Sequence, residues 1–142
     1  MRVLIDTNIL LDFLQRREPF YGDAEYILKE CIAGNIEGYL TSHMLTDLFY
    51  ILRKDFNVDE RKRLLLMLCR RFHIIAEDKA SMIAVLSGTG WDDLEDGLQM
   101  LCASLRKLDF IITRNIKDFR NSVVPAIMPD QFIIRYKNPS RL

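Results

Sequence analysis

The segment "VLIDTNILLDFL", residues 3–14, joins a short apolar run to a helical pattern through one acidic residue. The run before Asp6 contains no polar residue, which is typical of a strand covered on both faces in a parallel sheet. Thr7 and Asn8 follow Asp6 directly, and the helical pattern begins at Ile9. Because ligands of open α/β sheets bind beyond the carboxyl ends of the strands, Asp6 is the first candidate for a functional residue.

The same alternation of apolar runs and helical patterns continues along the chain. Strands are predicted at 3–5, 38–41, 72–76 and 110–113. Helices are predicted at 9–14, 24–33, 44–54, 60–71, 79–86 and 94–107, and Pro129 begins a short last helix in "MPDQFII". Alternating strands and helices predict an α/β layer architecture with a mostly parallel central sheet.

The composition predicts one compact domain that spans residues 1–142. With 49% hydrophobic residues, the chain can bury a core without disulfides or structural metals. The 20 basic and 20 acidic residues cancel, which excludes a global charge that would attract nucleic acid or membranes, so any such surface is local. No apolar run approaches the roughly 18 residues of a membrane span, and we expect no signal peptide.

Three cysteines, Cys31, Cys69 and Cys102, are widely spaced and odd in number. Each lies among apolar residues in a helical pattern. We therefore expect all three to be reduced core residues, as in a cytoplasmic protein, and we expect no disulfide framework.

Acidic residues recur where the predicted strands and helices meet. Asp47 lies in the helix after the second strand, Asp118 lies in "TRNIKDF" after the fourth, and four acids crowd "WDDLEDGLQM" at the start of a long helix. Taken singly, each has an ordinary explanation, since Asp caps helices and acids in a first turn interact favourably with the helix dipole. Together they repel, because two carboxylates about 4 Å apart cost on the order of 4 kcal/mol at an effective dielectric of about 20. If Asp6, Asp47 and Asp96 converge at one sheet edge, the expected counter-charge is Mg²⁺ or Mn²⁺, which take oxygen ligands.

Other chemistries have less support in the sequence. Two histidines, His43 and His73, are too few for a His-rich zinc site. A Ser-His-Asp triad would use Ser42 and His43, and "SGTG" lacks the Gly-Lys ending of a phosphate loop. A haloacid dehalogenase phosphatase would carry a second Asp where Asn8 stands, and a response-regulator receiver would need Asp78 as its acceptor.

Four motifs resemble those of PIN domains and occur in the expected order along the chain. They are "LIDTNILLDFL" (4–14), "TDLFYILRK" (46–54), "DLEDGLQMLCA" (93–103) and "FIITRNIKDF" (110–119). The resemblance implies a three-layer α/β/α sandwich and a metal-dependent ribonuclease that uses Mg²⁺ or Mn²⁺. It also implies an RNA substrate, a role as the toxin of a toxin–antitoxin pair with an antitoxin protein as partner, and a homodimer.

Carried over by position, the resemblance implies a set of site residues. Asp6 matches the first acid of the family, Asp96 matches the acid that opens the late helix, and Asp47 stands where relatives have Glu. These three are the implied catalytic residues and, together with Asp118, the implied metal ligands. The residues implied to orient ligands and water are Thr7, Asn8, Asp93, Glu95, Thr113 and Asn115, the last of which stands where many relatives have Asp.

An acidic pocket that binds a polyanion needs basic residues at its rim. Arg114 and Lys117 adjoin the acidic edge and are the candidates for contacts with RNA phosphates. The expected reaction is hydrolysis of an RNA phosphodiester by water that a divalent cation activates. The alternative is a catalytically weakened PIN-like module that binds RNA or a protein partner, because Asp47 and Asn115 depart from the family pattern.

Overall fold

The sheet of this protein is entirely parallel and has five strands in residues 1–138, the part of the chain that the computed structural model describes. The strands are β1 (Arg2–Ile5), β2 (Glu37–Thr41), β3 (His73–Ile75), β4 (Phe110–Ile112) and β5 (Ala126–Ile127). They lie in the order β3-β2-β1-β4-β5, and each neighbouring pair is parallel. The predicted α/β class is confirmed.

Seven α-helices within residues 1–138 connect and cover these strands. They are α1 (Thr7–Leu14), α2 (Tyr21–Ile32), α3 (Ser42–Ile51), α4 (Val58–Arg71), α5 (Lys79–Ser87), α6 (Leu94–Leu105) and α7 (Pro129–Lys137). Because parallel strands need crossover connections, the helices cover both faces of the sheet in a three-layer α/β/α sandwich. Between residues 1 and 138, no helix is both long enough and apolar enough to cross a membrane.

The centre of the sheet is the core of the protein. Val3, Leu4 and Ile5 of β1 are fully buried, as are Ile111 and Ile112 of the neighbouring β4. Helix α6 packs against both of these strands. Burial on both faces explains why the two strands read as continuous apolar runs in the sequence.

The chain changes direction across the sheet at β1, and this change places the candidate site. From β1 the chain adds β2 and β3 on one side, and it then crosses to β4 and β5 on the other side. Ile5 lies opposite Ile112, so Asp6 and Thr113 leave the two strands at the same level. The carboxyl ends of β1 and β4 therefore form the crevice where sheets of this kind bind ligands.

Several element bounds differ from the sequence prediction by one to three residues, and one strand is missing from the prediction. Strand β3 is limited to His73–Ile75 because Phe72 still caps α4 and Ala76 is exposed. The helix predicted at 44–54 ends as an α-helix at Ile51, and Leu52–Lys54 form a 3₁₀ turn. Strand β5 is absent from the prediction because it has only two residues, which directly follow Pro125.

Cys69 is the exception among the cysteines. Cys31 and Cys102 are buried as predicted, whereas Cys69 is exposed, and all three are free thiols. The prediction that all three lie in the core is therefore wrong for Cys69. Helix α4 buries Leu68, and the following residue is turned by about 100° around the helix axis, which points Cys69 to solvent.

Gly97 determines how closely α6 approaches Trp91. A Cβ added at Gly97 would lie 2.9 Å from both the Trp91 ring and the Val85 side chain. We predict that Gly97→Ala displaces the start of α6 and lowers the free energy of unfolding by about 1–3 kcal/mol, the usual cost of overpacking. Chemical denaturation measures this loss.

The matched control is Gly22→Ala in α2, where no atom lies within 4 Å of the added methyl group and no loss is expected. Equal losses in the two variants would contradict the importance of the Trp91 contact.

Candidate active site

Asp6 is a buried carboxylate in the crevice between β1 and β4, with 6% of its surface exposed. Its Oδ2 accepts hydrogen bonds from Thr113 Oγ1 at 2.7 Å and from Asn8 Nδ2 at 2.8 Å. Its Oδ1 accepts a hydrogen bond from Gln99 Nε2 at 3.1 Å. The donors come from α1, from α6 and from the residue after β4, so three segments fix the orientation of one carboxylate. All three donors are neutral, and none compensates the charge of Asp6.

Helix capping accounts for Asp93 but not for Asp6. Asp6 occupies the N-cap position of α1, yet its side chain makes no capping hydrogen bond to that helix. Asp93 caps α6, because its Oδ1 accepts a hydrogen bond from the backbone NH of Glu95 at 2.9 Å. Glu95 and Asp96 follow in the first turn of α6. The cap therefore leaves two further acids at the same helix end.

Asp6 and Asp96 line one acidic cavity of about 380 Å³. Six carboxylates line this cavity: Asp6, Asp92, Asp93, Glu95, Asp96 and Asp118. The remaining lining residues are Thr7, Asn8, Leu11, Gln99 and Asn115, so no basic side chain of residues 1–138 lines it. The structure thus brings most of the acids suggested by the sequence to one place. Arg120, which does not line the cavity, lies with Nη2 3.6 Å from Oδ2 of the exposed Asp92.

Asp6 and Asp96 are harder to ionise than free carboxyl groups. Burial, followed by the negative charge of Asp6 and other nearby carboxylates, raises the pKa of Asp96 to about 7. Burial also raises the pKa of Asp6 and outweighs the hydrogen bonds from Thr113 and Gln99, which favour the charged form. Near neutral pH the cavity therefore gains from taking up protons or a cation.

Asp47 lies outside this cavity and belongs to a different group. One carboxylate oxygen of Asp47, one ring nitrogen of His43 and one carboxylate oxygen of Glu95 lie within 4.8 Å of one another. Hydrogen bonding with Asp47, followed by burial, raises the pKa of Glu95 to about 8. Glu95 also lines the cavity, whereas Asp47 does not. Asp47 is thus not a lining residue of the cavity, and Glu95 is the residue shared by the two groups.

The polar residues around Asp6 occupy the positions suggested by the motifs. The Thr113 hydroxyl, fully buried, also accepts a hydrogen bond from the backbone NH of Asn115 at 3.0 Å. Thr7 Oγ1 is buried without a hydrogen-bond partner. Asp118 lines the cavity from the 3₁₀ turn Ile116–Phe119 after β4, and Asn115 lines it from the position just before that turn. This turn therefore forms one wall of the site.

Arg114 is engaged in an ion pair rather than pointing free into solvent. Its Nε lies 2.6 Å from Oδ2 of Asp12, and its Nη2 lies 3.1 Å from Oδ1. Asp12 is 1% exposed, and the Arg114 guanidinium lies over the Phe20 ring at 4.1 Å. This pair ties the segment after β4 to α1. Lys117, in contrast, is exposed.

Gln99 and Asp12 belong to the site region but are not among the predicted site residues. Gln99 follows Asp96 by three positions and so shares its face of α6, which is a usable signal. Asp12 interrupts an apolar run, which indicates a buried polar contact, but nothing in the sequence identifies Arg114 as its partner.

A comparison with known protein families identifies the family of this chain. Residues 2–117 match the family model described as a PIN domain. The chain therefore belongs to the PIN domain family, and the resemblance inferred from its motifs is confirmed. No curated protein matches the chain significantly.

Solved structures share the fold. A chain of a toxin–antitoxin complex from Klebsiella pneumoniae is 23% identical, with a TM-score of 0.65 over 89% of this chain and 97% of that chain. A chain of VapBC-1 from nontypeable Haemophilus influenzae is 16% identical, with a TM-score of 0.65 over 92% of this chain and 99% of that chain. A chain of VapBC2 from Rickettsia felis, bound to a promoter DNA fragment, is 19% identical, with a TM-score of 0.61 over 90% and 98%. At these identities the similarity establishes the fold.

The raised pKa of Asp96 makes the stability of the metal-free protein depend on pH. Its ordinary value of 3.8 rises to about 7, so between these values the folded state binds more protons than the unfolded state and stability falls as pH rises. We predict that Asp96→Asn removes this loss and raises Tm by a few degrees at pH 8, with a gain that shrinks towards pH 4. Thermal melts in chelator across this range measure it. Asp59→Asn, an exposed change at the start of α4, is the control. A gain independent of pH would contradict the assignment.

Proposed function

We propose that this PIN domain protein is a metal-dependent ribonuclease that hydrolyses RNA phosphodiester bonds. The proposal rests on the cavity at the carboxyl ends of β1 and β4, which the buried Asp6 and the partly buried Asp96 line without a basic partner. PIN domains are generally nucleases. Clustered carboxylates are what a nuclease needs to hold divalent cations beside a phosphate.

The donor set of the cavity fits Mg²⁺ or Mn²⁺. Its polar atoms are mainly carboxylate, amide and hydroxyl oxygens, the ligands that hard cations prefer. Gln99 Oε1 and Thr7 Oγ1 are buried without partners, and both residues line the cavity. Asp6, Asp96 and Asp118 are the proposed ligands. When bound, the cation would supply Lewis acidity that lowers the pKa of water and offsets negative charge on the reacting phosphate.

The remaining residues of the cavity orient the proposed ligands. Thr113 and Gln99 hold different oxygens of Asp6, which fixes the plane of the carboxylate before any ligand binds. Asn115 lines the cavity with an amide, which offers a donor and an acceptor but no negative charge to repel a phosphate. Asp93 holds the start of α6 and thereby the direction of Asp96.

The proposed RNA contact is Lys117. It is exposed on the 3₁₀ turn that also carries Asp118, so a phosphate at the cavity would lie within its reach. Arg114 has a different proposed role. Its guanidinium neutralises the buried Asp12 and holds this turn against α1, so a direct contact with RNA would require that pair to open.

The biological role as a toxin is part of the proposal. The structural neighbours named above come from toxin–antitoxin complexes, which supports an antitoxin protein as the partner of this chain. We propose that the protein acts in the cytoplasm, where its RNA substrate is found. A homodimer, implied by the motif resemblance, stays a prediction that analytical ultracentrifugation tests.

A non-catalytic PIN module is the second candidate. Asp47 lies outside the cavity and Asn115 takes the place of a family acid, and both features reduce the number of carboxylates around a cation. Such a module would bind RNA or a protein partner without cleaving RNA.

The ribonuclease proposal predicts loss of activity in two single-residue variants. Asp6→Asn and Asp96→Asn should each lower the rate of single-stranded RNA cleavage with Mg²⁺ or Mn²⁺ by more than about 100-fold, since cation stabilisation is worth several kcal/mol. Chelator should abolish wild-type activity, and Asp59→Asn should retain it. Cleavage that survives in Asp96→Asn would contradict the metal mechanism. RNA binding without cleavage in the wild type would identify the non-catalytic module.

We expect substitution of Arg114 to lower stability and substitution of Lys117 to weaken RNA binding. Arg114→Ala leaves Asp12 buried and unpaired, so we predict a loss of about 3–5 kcal/mol in the free energy of unfolding. Lys117→Ala should leave stability unchanged and weaken binding of single-stranded RNA, with a salt dependence reduced by about 0.7 in log–log slope. Chemical denaturation and RNA titrations at several salt concentrations measure the two effects. The reverse pattern would exchange the two roles.

A further inference from the structure

His43, Asp47 and Glu95 form a compact group of three potential metal ligands. His43 and Asp47 lie one turn apart on α3, and Glu95 reaches them from the first turn of α6. Their nearest ligand atoms, one from each residue, all lie within 4.8 Å of one another. One nitrogen and two carboxylate donors therefore converge on a volume the size of a cation.

A buried carboxylate orients the His43 ring. The side chain of Glu77 is 6% exposed and accepts hydrogen bonds from His43 Nδ1, from the Ser42 hydroxyl and from the backbone NH of His43. Burial alone would raise the pKa of Glu77, but these hydrogen bonds outweigh it and hold the pKa below its ordinary value. Glu77 therefore engages Nδ1 of the ring, and Nε2 is the nitrogen left to bind a metal ion.

Two atoms of the group are buried without any hydrogen-bond partner. They are His43 Nε2 and Asp47 Oδ2. A carboxylate oxygen and a ring nitrogen that carries no proton are both acceptors, and buried acceptors are costly to leave unpaired. A hydrogen bond from a protonated Glu95 serves Asp47 but leaves His43 Nε2 unpaired, whereas a cation between Asp47 and His43 satisfies both acceptors. A carboxylate that holds the far nitrogen of a histidine is also the usual support of a metal-ligating imidazole.

We propose that His43 Nε2, Asp47 and Glu95 bind a transition-metal ion of the Zn²⁺ class in preference to Mg²⁺. The imidazole nitrogen gives this selectivity, because nitrogen ligands favour Zn²⁺ and similar ions over Mg²⁺. Three protein ligands leave a fourth position of a tetrahedral ion open to water. The site adjoins the oxygen-lined cavity of Asp6 and Asp96 and shares Glu95 with it. It does not depend on the protein being a nuclease.

Imidazole NMR on the wild-type protein tests the proposal directly, since the chain has only two histidines. Without metal, His43 should show protonated Nδ1 and unprotonated Nε2. One equivalent of Zn²⁺ should shift His43 Nε2 and leave the exposed His73 unchanged, and millimolar Mg²⁺ should shift neither. Equal responses of the two histidines, no response of His43 to Zn²⁺, or an equal response to Mg²⁺ would each overturn the site. His73→Gln assigns the resonances.

Single-residue variants distinguish the proposed His43 site from the Asp6 cavity and test the role of Glu77. His43→Gln should lower Zn²⁺ affinity by at least about 100-fold, and His73→Gln should not change it. Glu77→Gln should weaken Zn²⁺ binding by about 10–100-fold, the usual effect of losing the group that orients a ligand, and should shift the His43 tautomer. Asp96→Asn should retain the His43 response to Zn²⁺. Loss of that response in Asp96→Asn would place the ion in the Asp6 cavity and overturn the proposal, whereas failure of RNA cleavage alone would leave it standing.

Discussion

The hydrogen bonds to the buried carboxylate of Asp6 are the constraint on which the site depends. Thr113 and Gln99 reach Asp6 from the end of β4 and from α6, so the parallel β1–β4 register and the packing of α6 must both be correct for the carboxylate to be held. The donors are neutral, and they orient the charge without cancelling it. The fold therefore holds an uncompensated negative charge near the centre of the sheet. The fixed orientation of the carboxylate also determines the side from which a cation can approach it.

The first turn of α6 contributes acidic residues to two neighbouring groups of side chains. Asp96 lines the same cavity as Asp6, whereas Glu95, one residue earlier, reaches Asp47 and His43 as well. Adjacent residues of a helix point about 100° apart, so a single helix start can serve two neighbouring groups of ligands. The two groups differ in donor type, because the first offers only oxygen and the second adds an imidazole nitrogen. Different ions are therefore expected to prefer them.

The sequence predicts the parts of this arrangement that follow from strand ends. Asp6 and Thr113 each come directly after a continuous apolar run, and parallel strands bring such positions to one edge. Other features depend on side-chain directions that no spacing rule supplies. Asp47 lies beside Glu95 of another helix, and Arg114 pairs with Asp12, 102 residues earlier, because of how these segments pack together. The exposure of Cys69 and the two-residue strand β5 are not predicted for a simpler reason. The local sequence pattern carries too little information about burial in the first case and about strand pairing in the second.

The partners of Asp6 lie far from it along the chain, and this has a consequence for protein synthesis. Gln99 and Thr113 are 93 and 107 residues later than Asp6, so a ribosome makes the acid long before it makes the groups that orient it. A nascent chain that carries Asp6 alone has no ordered cavity. If the mature protein cleaves RNA, the incomplete chain cannot do so before Thr113 has been synthesised. The order of the residues along the chain therefore keeps the ribosome and its message safe from cleavage by the nascent protein until that point.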